Sequence, residues 1–118
     1  MEQAWFPGVH ADVGGGYADH AIGDAALAWM LGKAASCGLA LDEAYLTQTT
    51  HPDPVGGALH DSRQGFYRWM RPHTRAIGRD GGATEAAHTG TVARHAAGGY
   101  DPANLVTYLA GPAHRETE

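Results

Sequence analysis

The sequence has little of what usually stabilises a small domain or marks an exported one. It has one cysteine, which excludes an intrachain disulfide, and only two phenylalanines against 17 glycines, which predicts a thin core. No apolar run reaches the roughly 18 residues of a transmembrane helix, and the N-terminus is acidic where a signal peptide would be basic. We therefore expect no transmembrane segment and a location in the cytoplasm, or export without a cleavable signal peptide.

Cationic residues are also few. Eight Lys and Arg stand against 13 Asp and Glu, giving a net charge of −5, and the two signs are interspersed along the chain. A nucleic-acid binder normally has a basic surface, so we expect no nucleic-acid partner.

The most informative stretch is WFPGVHADVGGGY, residues 5–17. A short apolar run delivers His10 and Asp12 into a loop that contains Gly14, Gly15 and Gly16, where the backbone can turn or approach closely. An imidazole titrates near neutral pH and can serve as a general base. This pattern predicts His10 as a catalytic residue, with Asp12 and the three glycines orienting the loop. Two alternatives stay open: a glycine-rich turn with a surface histidine, and an Asp12 that orients His10 directly.

The same stretch, followed by GDAALAWM (23–30), resembles the C-terminal part of the type VI secretion phospholipase effector-like catalytic domain, an α/β-hydrolase family. Two later blocks, LHDS (59–62) and YDPANL (100–105), resemble family segments in the same order, so that the resemblance covers residues 3–106. One departure, in residues 87–94, puts Thr and Gly where the family has Pro and Ser, at the start of the last helix.

The resemblance implies a cofactor-free serine hydrolase that attacks lipid acyl esters through a Ser–His–Asp triad. The serines of the chain are Ser36 and Ser62, and neither stands in the Gly-x-Ser-x-Gly elbow of such enzymes. We therefore expect a C-terminal fragment that supplies the histidine, with the nucleophile and the triad acid before Met1, and no activity of the chain alone. His60 and Asp61, in the LHDS block, are expected to brace the site. Beyond the lipid or ester substrate, an immunity protein or a secretion-machine protein is the expected kind of partner.

Two other functions remain open. The chain could be a non-catalytic, truncated or partner-dependent module, or a small metal-binding protein that uses His10, Asp12, Asp19 and His20. Neither His-Glu-x-x-His nor a cysteine-rich spacing is present, so no metal ligand is predicted.

The predicted fold class is α/β, as one short strand with helices and long loops, mostly helical when taken alone. Residues 1–110 are predicted to be the C-terminal portion of a single hydrolase domain and residues 111–118 a flexible tail. The predicted elements are a strand at 3–6, a site loop at 7–23, a helix from Asp24 to Gly38, a helical turn at 42–47, a loop at 49–57, aromatic packing at 66–70, a turn at 79–82, a helix at 84–97 and an extended segment at 100–105.

Overall fold

The computed structural model describes residues 2–71, 73–78, 84–112 and 114–118. The turn predicted at 79–82 lies outside these residues. The elements in chain order are β1 (Gln3–Trp5), α1 (His10–Val13), α2 (Ala21–Ser36), α3 (Glu43–Thr49), a 3-10 turn (Gly65–Trp69), β2 (Glu85–His88), α4 (Thr89–Ala97), α5 (Ala103–Leu109) and β3 (Glu116–Thr117). The chain is therefore a mixed α/β protein.

The chain divides into two compact units. The central unit is the continuous stretch Pro7–His60 and contains α1, α2 and α3. The sheet unit combines Met1–Phe6 with Asp61–Glu118 and contains the three strands, α4 and α5. None of the helices in the described residues is long and apolar enough to cross a membrane.

The sheet unit is built on a parallel sheet of order β1-β2-β3. The prediction of one strand is wrong, because β2 pairs with the predicted strand β1 and β3 pairs with β2. Ala87 of the central strand is fully buried, at 0% exposure, and lies opposite both Trp5 and Glu116. The Ala-rich stretch 84–88 has helical propensity, but pairing on both edges overrides it. The strand β3 lies within residues 111–118, for which a flexible tail is predicted.

The helix predicted over 84–97 therefore begins only at Thr89. His88 caps it, since its Nδ1 accepts a hydrogen bond from the Gly90 N–H at 3.1 Å. The imidazole also stacks on Phe6, with ring centroids 4.4 Å apart. The Thr91 hydroxyl donates to the Trp5 carbonyl at 2.9 Å and so ties α4 to β1.

The segment predicted as extended at 100–105 is instead the start of α5. Pro102 occupies the N-cap position, and Leu105 is only 1% exposed. Proline at a helix start is favourable because its missing N–H would have no partner there. The sequence YDPANL was thus a helix signal.

In the central unit, the predicted long helix is present but begins three residues earlier, at Ala21. Asp24 lies in its first turn, as expected. Its buried apolar residues, Ile22, Ala25 and Ala26, are all near the N-terminus, while Met30 is 59% exposed. The other buried apolar side chains of the described residues are Pro7, Ala87 and Leu105, so the core is small.

We expect His88 to make the stability of the chain depend on pH. Burial lowers its pKa below the ordinary value of 6.5, against a smaller opposite effect of Glu118. The folded state therefore favours the neutral ring, and the unfolded chain binds the proton more readily. We expect the free energy of unfolding to have its full value above pH 6.5 and to decrease as the pH falls below 6.5.

Urea titrations at pH 7.5 and 5.5 measure this dependence. The matched variant is His88→Asn, because asparagine can cap a helix but does not titrate. The variant should lose less stability than the wild type between the two pH values. Equal losses in both proteins would assign the dependence to the other histidines.

Candidate active site

The helix α1 is a single turn that carries Asp12 to the interior of the central unit. The carboxylate of Asp12 is 2% exposed and accepts a hydrogen bond from the Val9 N–H at 2.9 Å. An acid three residues after the N-cap commonly reaches back in this way. Gly8, with φ of 97°, leaves room for it, because a Cβ there would lie 2.6 Å from Asp12 Oδ2. The loop sequence therefore fixes the position of a buried carboxylate.

This carboxylate contacts a histidine 48 residues further along the chain. Nδ1 of His60 lies 2.6 Å from Oδ1 of Asp12, and the His60 backbone N–H donates to Oδ2 at 3.3 Å. Tyr17 stacks on the imidazole with ring centroids 3.8 Å apart and planes 18° from parallel. The ring is held at its edge by the carboxylate and on one face by the tyrosine.

The surroundings of Asp12 determine which atoms of the Asp12–His60 pair carry a proton. Burial alone would raise the pKa of Asp12, but the hydrogen bonds from Val9 and His60 outweigh it, and the pKa lies below the ordinary 3.8. An ionised carboxylate only accepts hydrogen bonds, so Nδ1 of His60 must carry the proton. Nε2 is then the basic nitrogen of the neutral ring.

His60 combines support with access. Its side chain is 32% exposed, whereas that of Asp12 is 1% exposed. Within the described residues no hydrogen bond reaches Nε2. The pair thus combines a partly exposed imidazole with a buried carboxylate.

His10, predicted as the catalytic residue, is the first residue of α1 and its side chain is exposed. Residues two apart on a helix point to opposite sides of it, so His10 and Asp12 do not face each other. No side chain among the described residues forms a hydrogen bond with the His10 imidazole. Catalysis by His10 stays a prediction.

The three glycines follow α1 directly. Gly14 is its C-cap, and Gly15 has φ of 69°, which disfavours any side chain. Gly23 of α2 packs against this turn, since a Cβ there would lie 2.9 Å from the Gly15 Cα. Gly14, Gly15 and Gly23 line a cavity of about 600 Å³ together with Val13 and five residues of 20–30 (His20, Asp24, Ala26, Leu27 and Met30). The glycines allow α1 and α2 to approach closely.

Asp19 and His20, which the metal hypothesis grouped with His10 and Asp12, have structural contacts of their own. Asp19 accepts from the backbone N–H groups of Ala21 and Ala58, both at 3.3 Å. His20 pairs with Asp24 at 3.0 Å. In the part of the chain that the structure describes, no three His, Cys, Asp or Glu residues lie together as metal ligands.

The two serines of the chain belong to different units. The Ser36 hydroxyl donates to the Lys33 carbonyl at 2.7 Å at the end of α2, and Ser62 is an exposed residue of the sheet unit.

The contact of His60 with Asp12 is not predicted from the sequence, where His60 in the LHDS block is expected to brace the site. Chain order is the signal that could have identified it, because in α/β-hydrolases the triad acid precedes the histidine, as Asp12 precedes His60.

Comparison with known proteins supports the resemblance over part of the chain. Neither a curated protein nor a solved structure matches it. The sequence model of the Tle1-like phospholipase effectors of the type VI secretion system, catalytic domain, matches residues 1–33. This range contains His10, Asp12 and the three glycines but ends before LHDS and YDPANL, whose resemblance stays a prediction. Residues 1–33 are therefore similar to part of a Tle1-like phospholipase catalytic domain, a family whose substrates are lipids.

Proposed function

We propose that this chain supplies two members of the catalytic triad of a carboxylic ester hydrolase that acts on lipid acyl esters: the orienting carboxylate and the histidine that transfers protons. The observation that carries the proposal is the 2.6 Å contact between the buried carboxylate of Asp12 and the partly exposed imidazole of His60. The lipid substrate follows from the phospholipase family that residues 1–33 match.

In this proposal Asp12 holds the imidazole in the tautomer with the proton on Nδ1. Nε2 then takes the proton of an attacking serine hydroxyl as the oxygen forms a bond to the ester carbonyl carbon. The same nitrogen returns the proton to the leaving alcohol when the carbon–oxygen bond of the ester breaks. A water molecule, deprotonated in the same way, then releases the fatty acid from the serine.

Asp12 stays ionised through the whole cycle. Its depressed pKa means that the imidazolium formed in the transition state faces a negative charge inside the protein. Tyr17 contributes on the other side, because a protonated imidazole is attracted to the face of an aromatic ring. Both contacts strengthen as the ring becomes charged, which is the condition for accelerating the reaction rather than only binding the substrate.

The nucleophile is proposed to be an elbow serine that the 118 residues do not contain. We expect the 118-residue chain alone to release no fatty acid from a phospholipid. A longer polypeptide that contains these residues together with a Gly-x-Ser-x-Gly elbow is expected to release fatty acid. Titration of released fatty acid measures both. Hydrolysis by the chain alone that disappears in Ser36→Ala or Ser62→Ala would place the nucleophile within it. An inactive longer polypeptide would support the non-catalytic module instead.

A further inference from the structure

A short segment of the sheet unit exposes large apolar side chains. The 3-10 turn Gly65–Trp69 and the residue after it leave Phe66 78%, Trp69 89% and Met70 54% exposed. The aromatic packing predicted for residues 66–70 is therefore wrong for these three side chains, which point outward. Monomeric proteins seldom expose several large apolar residues in one stretch unless it contacts another surface.

The stretch around this segment, residues 61–78, concentrates positive charge in an acidic protein. Residues 61–78 contain four of the eight cationic side chains, Arg63, Arg68, Arg71 and Arg75, but one of the 13 acidic ones, Asp61. The prediction of interspersed charge therefore does not hold here. The rest of the chain is correspondingly more acidic.

The segment has a defined local structure. The guanidinium of Arg63 donates to the carbonyls of Arg68 at 3.3 Å and Met70 at 3.2 Å, which closes the chain around the 3-10 turn. The carboxylate of Asp61 accepts from the Arg63 backbone N–H at 2.8 Å. Arg68 and Arg71 flank the exposed Trp69 and Met70 and are themselves exposed. We call Phe66, Arg68, Trp69, Met70 and Arg71 the aromatic–arginine patch.

We propose that the aromatic–arginine patch docks on the surface of a bilayer that contains anionic phospholipid. Tryptophan and phenylalanine partition into the boundary between headgroups and acyl chains, and arginine keeps its charge at the phosphates while its stem lies along the apolar region. A lipid surface accommodates Met70 as well as the two rings, whereas single-stranded nucleic acid offers base faces to aromatic rings only. The proposal rests on exposure and charge and is independent of the hydrolase chemistry.

Co-flotation with lipid vesicles tests the proposal on the 118-residue chain, because bound protein rises with the vesicles while aggregated protein sinks. With vesicles of phosphatidylglycerol and phosphatidylcholine we expect a partition coefficient roughly tenfold or more above that with phosphatidylcholine alone. Phe66→Ser with Trp69→Ser should lower binding at least about tenfold. Arg68→Gln with Arg71→Gln should abolish most of the preference for the anionic vesicles.

The matched controls are Met30→Ser with Leu39→Ser, which remove side chains 59% and 54% exposed in the central unit, and Arg94→Gln, which removes a charge from α4. Both should bind like the wild type, and circular dichroism verifies that each variant is folded. Absence of binding, or equal binding by the patch variants, overturns the proposal. Binding of an oligonucleotide but not of vesicles would assign the patch to nucleic acid. Self-association that the patch variants lose, without vesicle binding, would assign it to a second copy.

Discussion

Replacement of His60 by alanine is expected to lower kcat for phospholipid hydrolysis by roughly 10⁴-fold or more, with KM nearly unchanged. The variant removes the imidazole that contacts the Asp12 carboxylate at 2.6 Å and that we propose as the base. The polypeptide used must also supply the nucleophilic serine. Fatty acid release at saturating phospholipid gives kcat, and the concentration dependence gives KM.

Two histidines serve as controls for this variant. His95 forms a similar pair, with Nδ1 2.8 Å from Asp101 and 29% of its side chain exposed, but its acid is 64% exposed. His10 is the histidine that the sequence predicts. Replacing either with alanine should leave kcat within about threefold of the wild type, since neither has a buried carboxylate to orient it. A large loss in His10→Ala with none in His60→Ala would return the catalytic role to His10.

The parts of the fold that were predictable are those that local sequence determines. The strand β1, the helix α2 and the turn of α3 follow from apolar runs, helix formers and a capping aspartate at Asp42. The strands β2 and β3 do not. Ala86 and Ala87 of β2 favour helix locally and become a strand only between β1 and β3, and β3 is two residues long. Such pairing leaves no periodicity to detect in a stretch of four residues.

The candidate site shows the same division. The sequence points to this loop because His10, Asp12 and three glycines are concentrated in one stretch. The role of Asp12 depends on whether α1 is a loop or a helical turn, since only the helical turn directs His10 and Asp12 to opposite sides. The contact with His60 closes a gap of 48 residues, and apart from the order of acid and histidine along the chain the local sequence does not indicate which residues meet across that gap.

The second large effect is expected from Asp12→Asn, which conserves shape but changes the hydrogen-bonding groups. The amide oxygen can still accept from the Val9 and His60 backbone N–H groups, which bond to Oδ2 in the wild type. The amide nitrogen then occupies the position of Oδ1 and donates to Nδ1 of His60. The ring must carry its proton on Nε2, where it can no longer accept one from the nucleophile.

We therefore expect Asp12→Asn to lower kcat by roughly 10⁴-fold, about as much as the loss of the histidine itself. Nitrogen NMR of His60 distinguishes this mechanism from simple damage to the loop, because the variant should remain folded and show the proton moved from Nδ1 to Nε2. The control is Asp101→Asn, which makes the same change at the exposed partner of His95 and should leave kcat unchanged. An Asp12→Asn protein that keeps near wild-type kcat would mean that the carboxylate only holds the loop.

The stability of the same variant against pH gives a second test. Because the pKa of Asp12 is depressed, the stabilising contribution of its carboxylate is complete above pH 3.8 and is lost only as the pH falls through the lower pKa of the folded state. That acid-dependent loss should be absent from the asparagine variant.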